Sequence, residues 1–369
     1  MKNILFFLLF STTLVAQNAI KIDSGTINKA DYRIFFPENW KGKLVMFAHG
    51  HEFMGAPSQI KQGNFAQRMK PFLERGFAVA ASAYSSQGLA IKQGVDDTEA
   101  LRKYFFKKYG KPDTTFMVGQ SMGGGVTVAI MENFDKNYRG ALPMCPLSGP
   151  PYLQNRKEFD VYAIFNAFFP NVVPSLSNVM DKNVPYVASD SRKMGPRAQK
   201  IKDAFMKDSV TALAIAKHFH MKLSDLPMSL AFNENVLRDV AQKSGGNPFD
   251  NTNTVYTGFA NDYELNQKVE RIAATVSPDV LYAKYDRTGK IGKPVVLLHT
   301  VYDQLIPPPY GVTKFENMVH MQNRTQFLTV KLTNGQGHCQ FKPDQIGQSF
   351  DELRHWVKTG NKPKAGVIK

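Results

Sequence analysis

The sequence predicts an α/β protein: a mostly parallel sheet with helices on both faces, interrupted by one long, mainly helical cap insertion. Three observations predict it. Apolar runs alternate with stretches of helical periodicity as far as about Gly149, the alternation stops from Pro150 to Lys290, and it resumes at Lys293 and continues to the end of the chain.

The first residues, MKNILFFLLFSTTLVAQ, have Lys2, an apolar run from Ile4 to Phe10, then small residues and Ala16, which is the layout of a secretory signal. Ser11, Thr12 and Thr13 break the run far short of the about 20 apolar residues that an anchor requires, so no stable membrane anchor is expected. Residues 1–17 are therefore set aside as a signal peptide, and the protein is expected to be exported, periplasmic or extracellular, after its cleavage. The remaining chain divides into a core of 18–149 and 291–369 and an insertion of 150–290.

Within the core, DYRIFFPENW (31–40) alternates like an early strand, whereas KLVMFAHG (43–50) is continuously apolar and ends at glycine, as a buried parallel strand does. A helical stretch over 64–76 and a second buried strand over 77–85 follow. The segment 94–110 predicts an amphipathic helix, acidic at its start and basic at its end, matching the macrodipole. Strand 114–121, helix 125–134 and strand 140–149 complete the first half. Strands over 293–303 and 325–334 and a closing amphipathic helix over 344–360 form the second. An unstructured connection of about 140 residues is improbable in a compact protein, so the insertion is expected to be helical. KIKDAFMKDSVTALAIAKHF (200–219) has that periodicity.

Composition narrows the function. Lys and Arg exceed Asp and Glu by 15, but no helix-turn-helix, RRM or zinc-finger pattern accompanies the excess. The charge reads as a solvated surface, with no nucleic-acid partner, although it would help an anionic substrate approach. Thr288-Gly289-Lys290 lacks the upstream glycines of a P-loop and no GxGxxG follows a first strand, so no cofactor is expected. His218 and His220 have no third ligand cluster nearby in sequence, and no metal is expected.

The chemistry centres on GQSMG, 119–123, between a predicted strand and a predicted helix. A sharp turn there leaves no room for side chains beside the serine and lifts its hydroxyl out at the carboxyl end of the sheet, which makes Ser121 a candidate nucleophile. A serine hydroxyl needs a histidine to take its proton, and that histidine needs a carboxylate to hold its tautomer. Asp303 follows VVLLHT and His338 follows FLTVKLTN, so Ser121, Asp303 and His338 occur in the required order, each just past a predicted strand. Competing readings have Asp303 capping the next helix, Asp160 as the acid, and His338 as an ordinary loop residue. His49 in AHGH reads as structural. Backbone N–H groups of Met122 and His51 are the candidate oxyanion donors. Tyr84, Ser85 and Tyr152 are candidates for lining the pocket. The aromatics of 159–170 read as insertion core.

The motifs AHGH, GQSMGG, HTVYDQLIPP and GQGHCQF resemble those of the α/β-hydrolase superfamily over roughly 28–149 and 291–360. With LPMCPLSGP, SGGNPFDN and GHCQF, the chain is similar to exported bacterial serine hydrolases with a long cap insertion. The resemblance implies the α/β-hydrolase fold and a Ser-His-Asp serine hydrolase, most simply a secreted carboxylic-ester hydrolase of small-molecule substrates. The alternative is a serine peptidase of the same fold, prolyl peptidase or aminopeptidase-like. It would need a carboxylate for the peptide's amino end, and Glu158, Asp160, Asp250 and Glu264 are available. Feruloyl esterases and tannases have a cysteine before the serine, where this chain has Gln120. The two cysteines, Cys145 and Cys339, are either a disulfide that tethers the histidine loop or two buried thiols.

Overall fold

Residues 21–185, 194–279 and 285–368 are described by the computed structural model, so the signal-like stretch 1–17 lies outside them. Among the described residues, β1 (Lys21–Ile27), β2 (Ala30–Phe36), β3 (Lys43–Ala48), β4 (Ala78–Ser82), β5 (Thr114–Gln120), β6 (Gly140–Met144), β7 (Val295–Tyr302), β8 (Leu328–Gln336) and β9 (Gly366–Val367) form one sheet. Its order is β1-β2-β4-β3-β5-β6-β7-β8-β9. β2 runs antiparallel to β1 and β4, and every other pairing is parallel. The central strands are covered on both faces, which is why KLVMF, AVAAS and GALPM are continuously apolar rather than alternating.

Helices α1 (Ile91–Tyr109) and α2 (Met122–Asn133) cover one face, and the closing helix covers the other. The helix expected over 64–76 is two short turns, Phe65–Arg68 and Lys70–Leu73. Pro71 lacks the N–H that would continue the first into the second. In the same cluster as these turns, Phe350 of the closing helix meets Phe72, Phe77 and Phe116 edge-on, with ring centroids 5.0, 5.1 and 5.3 Å apart. Such pairs contribute about 0.5–1.5 kcal/mol each beyond area burial.

Between β6 and β7 the chain forms α3 (Pro151–Phe168), α4 (Met194–Lys207), α5 (Ser209–His218), α6 (Leu226–Ser244) and α7 (Asp262–Lys268), with no strand among its described residues. α6 is the centre of this segment and packs on α3 and α4. Buried Phe159, Phe165 and Leu237 from these helices belong to the same apolar cluster as Met46, Met117 and Val126 beneath them. The insertion and the sheet therefore share one core. After β7 come α8 (Lys314–Met321), β8 and α9 (Pro343–Thr359), which carries Phe350.

Candidate active site

The turn from β5 into α2 places Ser121 at φ 59°, ψ −125°, a backbone region that ordinary residues avoid. Three hydrogen bonds hold it there: Ser121 N donates to Met144 O (2.9 Å), and its carbonyl accepts from Gly125 N (3.1 Å) and Leu147 N (3.2 Å). The flanking glycines have a steric cause. A Cβ on Gly119 would lie 2.2 Å from Gly123 O, and one on Gly123 would lie 2.1 Å from Ala48 O.

Asp303 and His338 reach Ser121 from the ends of β7 and β8. Asp303 is fully buried, and its Oδ1 accepts from the N–H groups of Leu305 (2.9 Å) and Ile306 (2.8 Å). Its Oδ2 accepts from His338 Nδ1 at 2.7 Å. A carboxylate only accepts, so the ring proton sits on Nδ1 and Nε2 is free to accept from Ser121 Oγ, also at 2.7 Å. Capping the following loop and orienting the histidine are therefore simultaneous roles of one carboxylate. Burial alone drives the Asp303 carboxyl upward, but the facing His338, His299 and the Ile306 amide outweigh it and hold it below its ordinary range. Asp160 is elsewhere, paired with Arg156 Nε (2.9 and 3.0 Å) and accepting from Tyr256 Oη (2.8 Å).

Two further restraints act on the histidine loop. His338 N donates to Gln304 Oε1 (3.0 Å), and Cys339 is joined to Cys145 by a disulfide with Cα atoms 5.3 Å apart.

Opposite the elbow, the loop after β3 approaches so closely that a Cβ on Gly50 would lie 3.3 Å from Ser121 Cβ and 3.7 Å from its Oγ. The Gly50 carbonyl accepts from His49 Nδ1 (2.7 Å) and Gln59 Nε2 (3.4 Å). In a planar trans peptide this turns the His51 N–H the opposite way. Buried Glu52 accepts from Gln59 N (2.6 Å) and Ser58 Oγ (3.2 Å) and so braces the loop. Met122 is the first residue of α2, where an N–H has no partner within the helix. Burial lowers His49 against the opposing pull of Glu52 and pushes His51 down to about 3.

Ser121, Met122, His51 and His338 border a narrow cavity of about 40 Å³. Leu89, Phe232 and Val236 form an apolar wall, and Asn155 and Glu158 of α3 a polar one. Tyr84, Ser85 and Tyr152, expected at the pocket, are not among its lining residues. Tyr84 turns inward at φ 57°, stacks on His49 (centroids 3.9 Å apart) and donates to His49 O (3.0 Å), so it backs the loop after β3 instead. The Ser85 N–H is bound to Asp97 Oδ2 (2.7 Å), and the Tyr152 ring packs on Phe249 at 5.5 Å. Sequence reasoning passed over the Phe232 and Val236 wall, whose only sequence signal is i,i+4 spacing on a helix, and it had no reason to prefer Glu158 among the acids of the insertion.

No family model matches the chain, and no curated protein matches it. Among solved structures it is similar to the esterase Pf2001 of Pyrococcus furiosus, at 15% identity over 92% of each chain with a TM-score of 0.48. An acylaminoacyl peptidase of Pyrococcus horikoshii is similar at 11% identity, covering 92% of this chain and 41% of that one, TM-score 0.48. Est1E from Butyrivibrio proteoclasticus is similar at 12% identity over 90% of this chain and 99% of that one, TM-score 0.41. By its own sheet order, with β2 reversed beside β4, and by the strained serine turn between β5 and α2, the chain has the α/β-hydrolase fold.

Proposed function

We propose that the protein is a serine hydrolase acting on carboxylic esters through Ser121, His338 and Asp303. One observation carries the reading: an unbroken relay in which Ser121 Oγ donates to His338 Nε2 and His338 Nδ1 donates to Asp303, both at 2.7 Å. His338 takes the serine proton as Ser121 attacks the carbonyl, and Asp303 stabilises the imidazolium. The N–H groups of Met122 and His51 face the oxyanion. The imidazolium then returns its proton to the departing alkoxide, and water resolves the acyl-enzyme by the same route.

An ester is preferred to a peptide because three of the four acids that could grip a peptide's amino end are engaged elsewhere. Asp160 is held by Arg156 and Tyr256, Asp250 accepts from Thr252 N (2.8 Å), and Glu264 is paired with Lys268. Glu158 alone borders the cavity, which keeps a peptidase as the second reading. The Cys145–Cys339 bond suits an oxidising compartment and supports export.

Purified protein is to be assayed with short- and long-acyl p-nitrophenyl esters and with aminoacyl and prolyl arylamides, against a Ser121→Ala control. Ester hydrolysis that disappears in the control is expected. Arylamide hydrolysis without ester hydrolysis would replace the first reading by the second.

A further inference from the structure

The cavity that Ser121 borders is also lined by a carboxylate for which the hydrolytic relay has no use. Glu158 is 5% exposed, and its Oε2 has no hydrogen-bond partner. Its Oε1 accepts a long bond from Gln154 Nε2 (3.3 Å). The cation beside it in sequence gives Oε2 no hydrogen bond, since Lys157 Nζ donates to the carbonyl of Leu305 (2.9 Å). Gln154 Nε2 holds the same carbonyl at 2.9 Å, so α3 is fastened to the loop that follows Asp303. The position of Glu158 relative to Ser121 is thereby set by the triad's own loop.

A buried carboxylate oxygen without a donor costs free energy, and a substrate that supplies the donor recovers it. The other wall is apolar, so this donor is the specific polar demand the cavity makes beside Asn155. The cavity is also small, so a group meeting Glu158 lies close to the carbonyl carbon presented to Ser121.

We infer that Glu158 recognises an amino group carried next to the scissile carbonyl, so that the acyl half of the substrate is a small α-amino acid rather than a simple short fatty acid. The inference rests on Ser121 as nucleophile. Burial pushes the Glu158 carboxyl up and Lys157 pulls it back only in part, and a bound ammonium supplies the hydrogen-bonded counter-charge that Oε2 lacks.

Alanine methyl ester and methyl propionate differ by the amino group alone, and their hydrolysis can be followed by the acid released. The wild type is expected to favour the alanine ester in kcat/KM by about ten- to hundredfold, the range of a charge-assisted hydrogen bond. Glu158→Leu is expected to lose that preference, kcat/KM falling about ten- to hundredfold further on the alanine ester than on methyl propionate, with Glu158→Gln intermediate. Equal rates on both esters in the wild type, or equal losses on both in the variants, would overturn the inference. Should the variants fail to fold, wild-type methyl propionate hydrolysis is measured with glycinamide or acetamide as competitor. Glycinamide is expected to inhibit about tenfold more strongly, and equal inhibition overturns the idea. Methyl propionate hydrolysis that Ser121→Ala abolishes leaves the hydrolase reading standing even when the amine preference is absent. No hydrolysis of either ester, with no fluorophosphonate label on Ser121, overturns both.

Discussion

Cys145 and Cys339 are bonded across 194 residues of sequence, and Cys339 is the residue immediately after His338. The bond ties the histidine loop to the end of β6, the strand beside the elbow. Replacing both cysteines by alanine is expected to lower stability by roughly 2–5 kcal/mol. Because the freed loop carries His338, the proposed general base, kcat should fall more than KM rises. Chemical denaturation and steady-state kinetics of the double variant check both parts. A variant with unchanged kcat would mean that the loop's hydrogen bonds, to Gln304 and Asp303 among them, hold His338 without the disulfide.

Removing members of the relay should separate chemistry from folding. Ser121→Ala is expected to lose about 10⁵–10⁶ in kcat. Asp303→Asn is expected to lose about 10⁴, because an amide no longer holds the ring proton on Nδ1. Pre-steady-state and steady-state rates on a p-nitrophenyl ester measure the losses. A drop of less than tenfold for Asp303→Asn would return the acid's role to another carboxylate.

The elbow glycines can be tested by sterics. Gly123→Ala drives a methyl into backbone oxygen, so a loss above about 3 kcal/mol or failure to fold is expected. Gly63, around which nothing lies within 4 Å of a built Cβ, serves as the control. Gly63→Ala should stay within about 0.5 kcal/mol of the parent. Thermal melts of the two variants give the comparison.

Acid should act on activity through one group and on stability through another. His338 must be neutral to accept the serine proton, while burial holds His51 at about 3 and lowers His49 from its ordinary range. The acid limb of kcat/KM is therefore expected to have a one-proton slope, and His51→Phe should not move it. For stability, the Asp303 carboxyl lies lower in the folded than in the unfolded chain. Its contribution is present above the unfolded value of about 3.9 and is lost as pH falls through the folded one. The stability difference between the parent and Asp303→Asn should accordingly shrink below about pH 4, as urea titrations at several pH values will measure.

Much of the fold was legible because its cause is local. Buried parallel strands must be continuously apolar, and the amphipathic period of 94–110 marks α1. The structure starts α1 at Ile91, so its first turn has Lys92 and no acid, and only its basic end matches the dipole. The Ser121, Asp303 and His338 positions were legible because a nucleophile elbow and two strand ends impose residue types at set points. The edge strands were not. β1 reads KIDSGTI, mostly exposed, and its polar side chains have no burial pattern that distinguishes it from a loop. Tyr84 misled because a residue just past a strand ordinarily faces the ligand end, and a positive φ at that position cannot be read from its neighbours.

By itself the sequence determined the alternating α/β layout, the steric need for glycine at 119 and 123, and the order of the three relay residues. All of these follow from the backbone's local geometry and from what burial demands of a strand. Only the tertiary structure decided which side chains meet. Ser121 and His338 stand 217 residues apart and touch, Asp160 and Asp303 are both plausible acids and only one arrives, and Glu158 alone among four acids reaches the cavity. The sheet order brings the ends of β5, β7 and β8 together, and the packing of α3 on α6 places Glu158. Both depend on complementarity between segments that carry no local signal of one another.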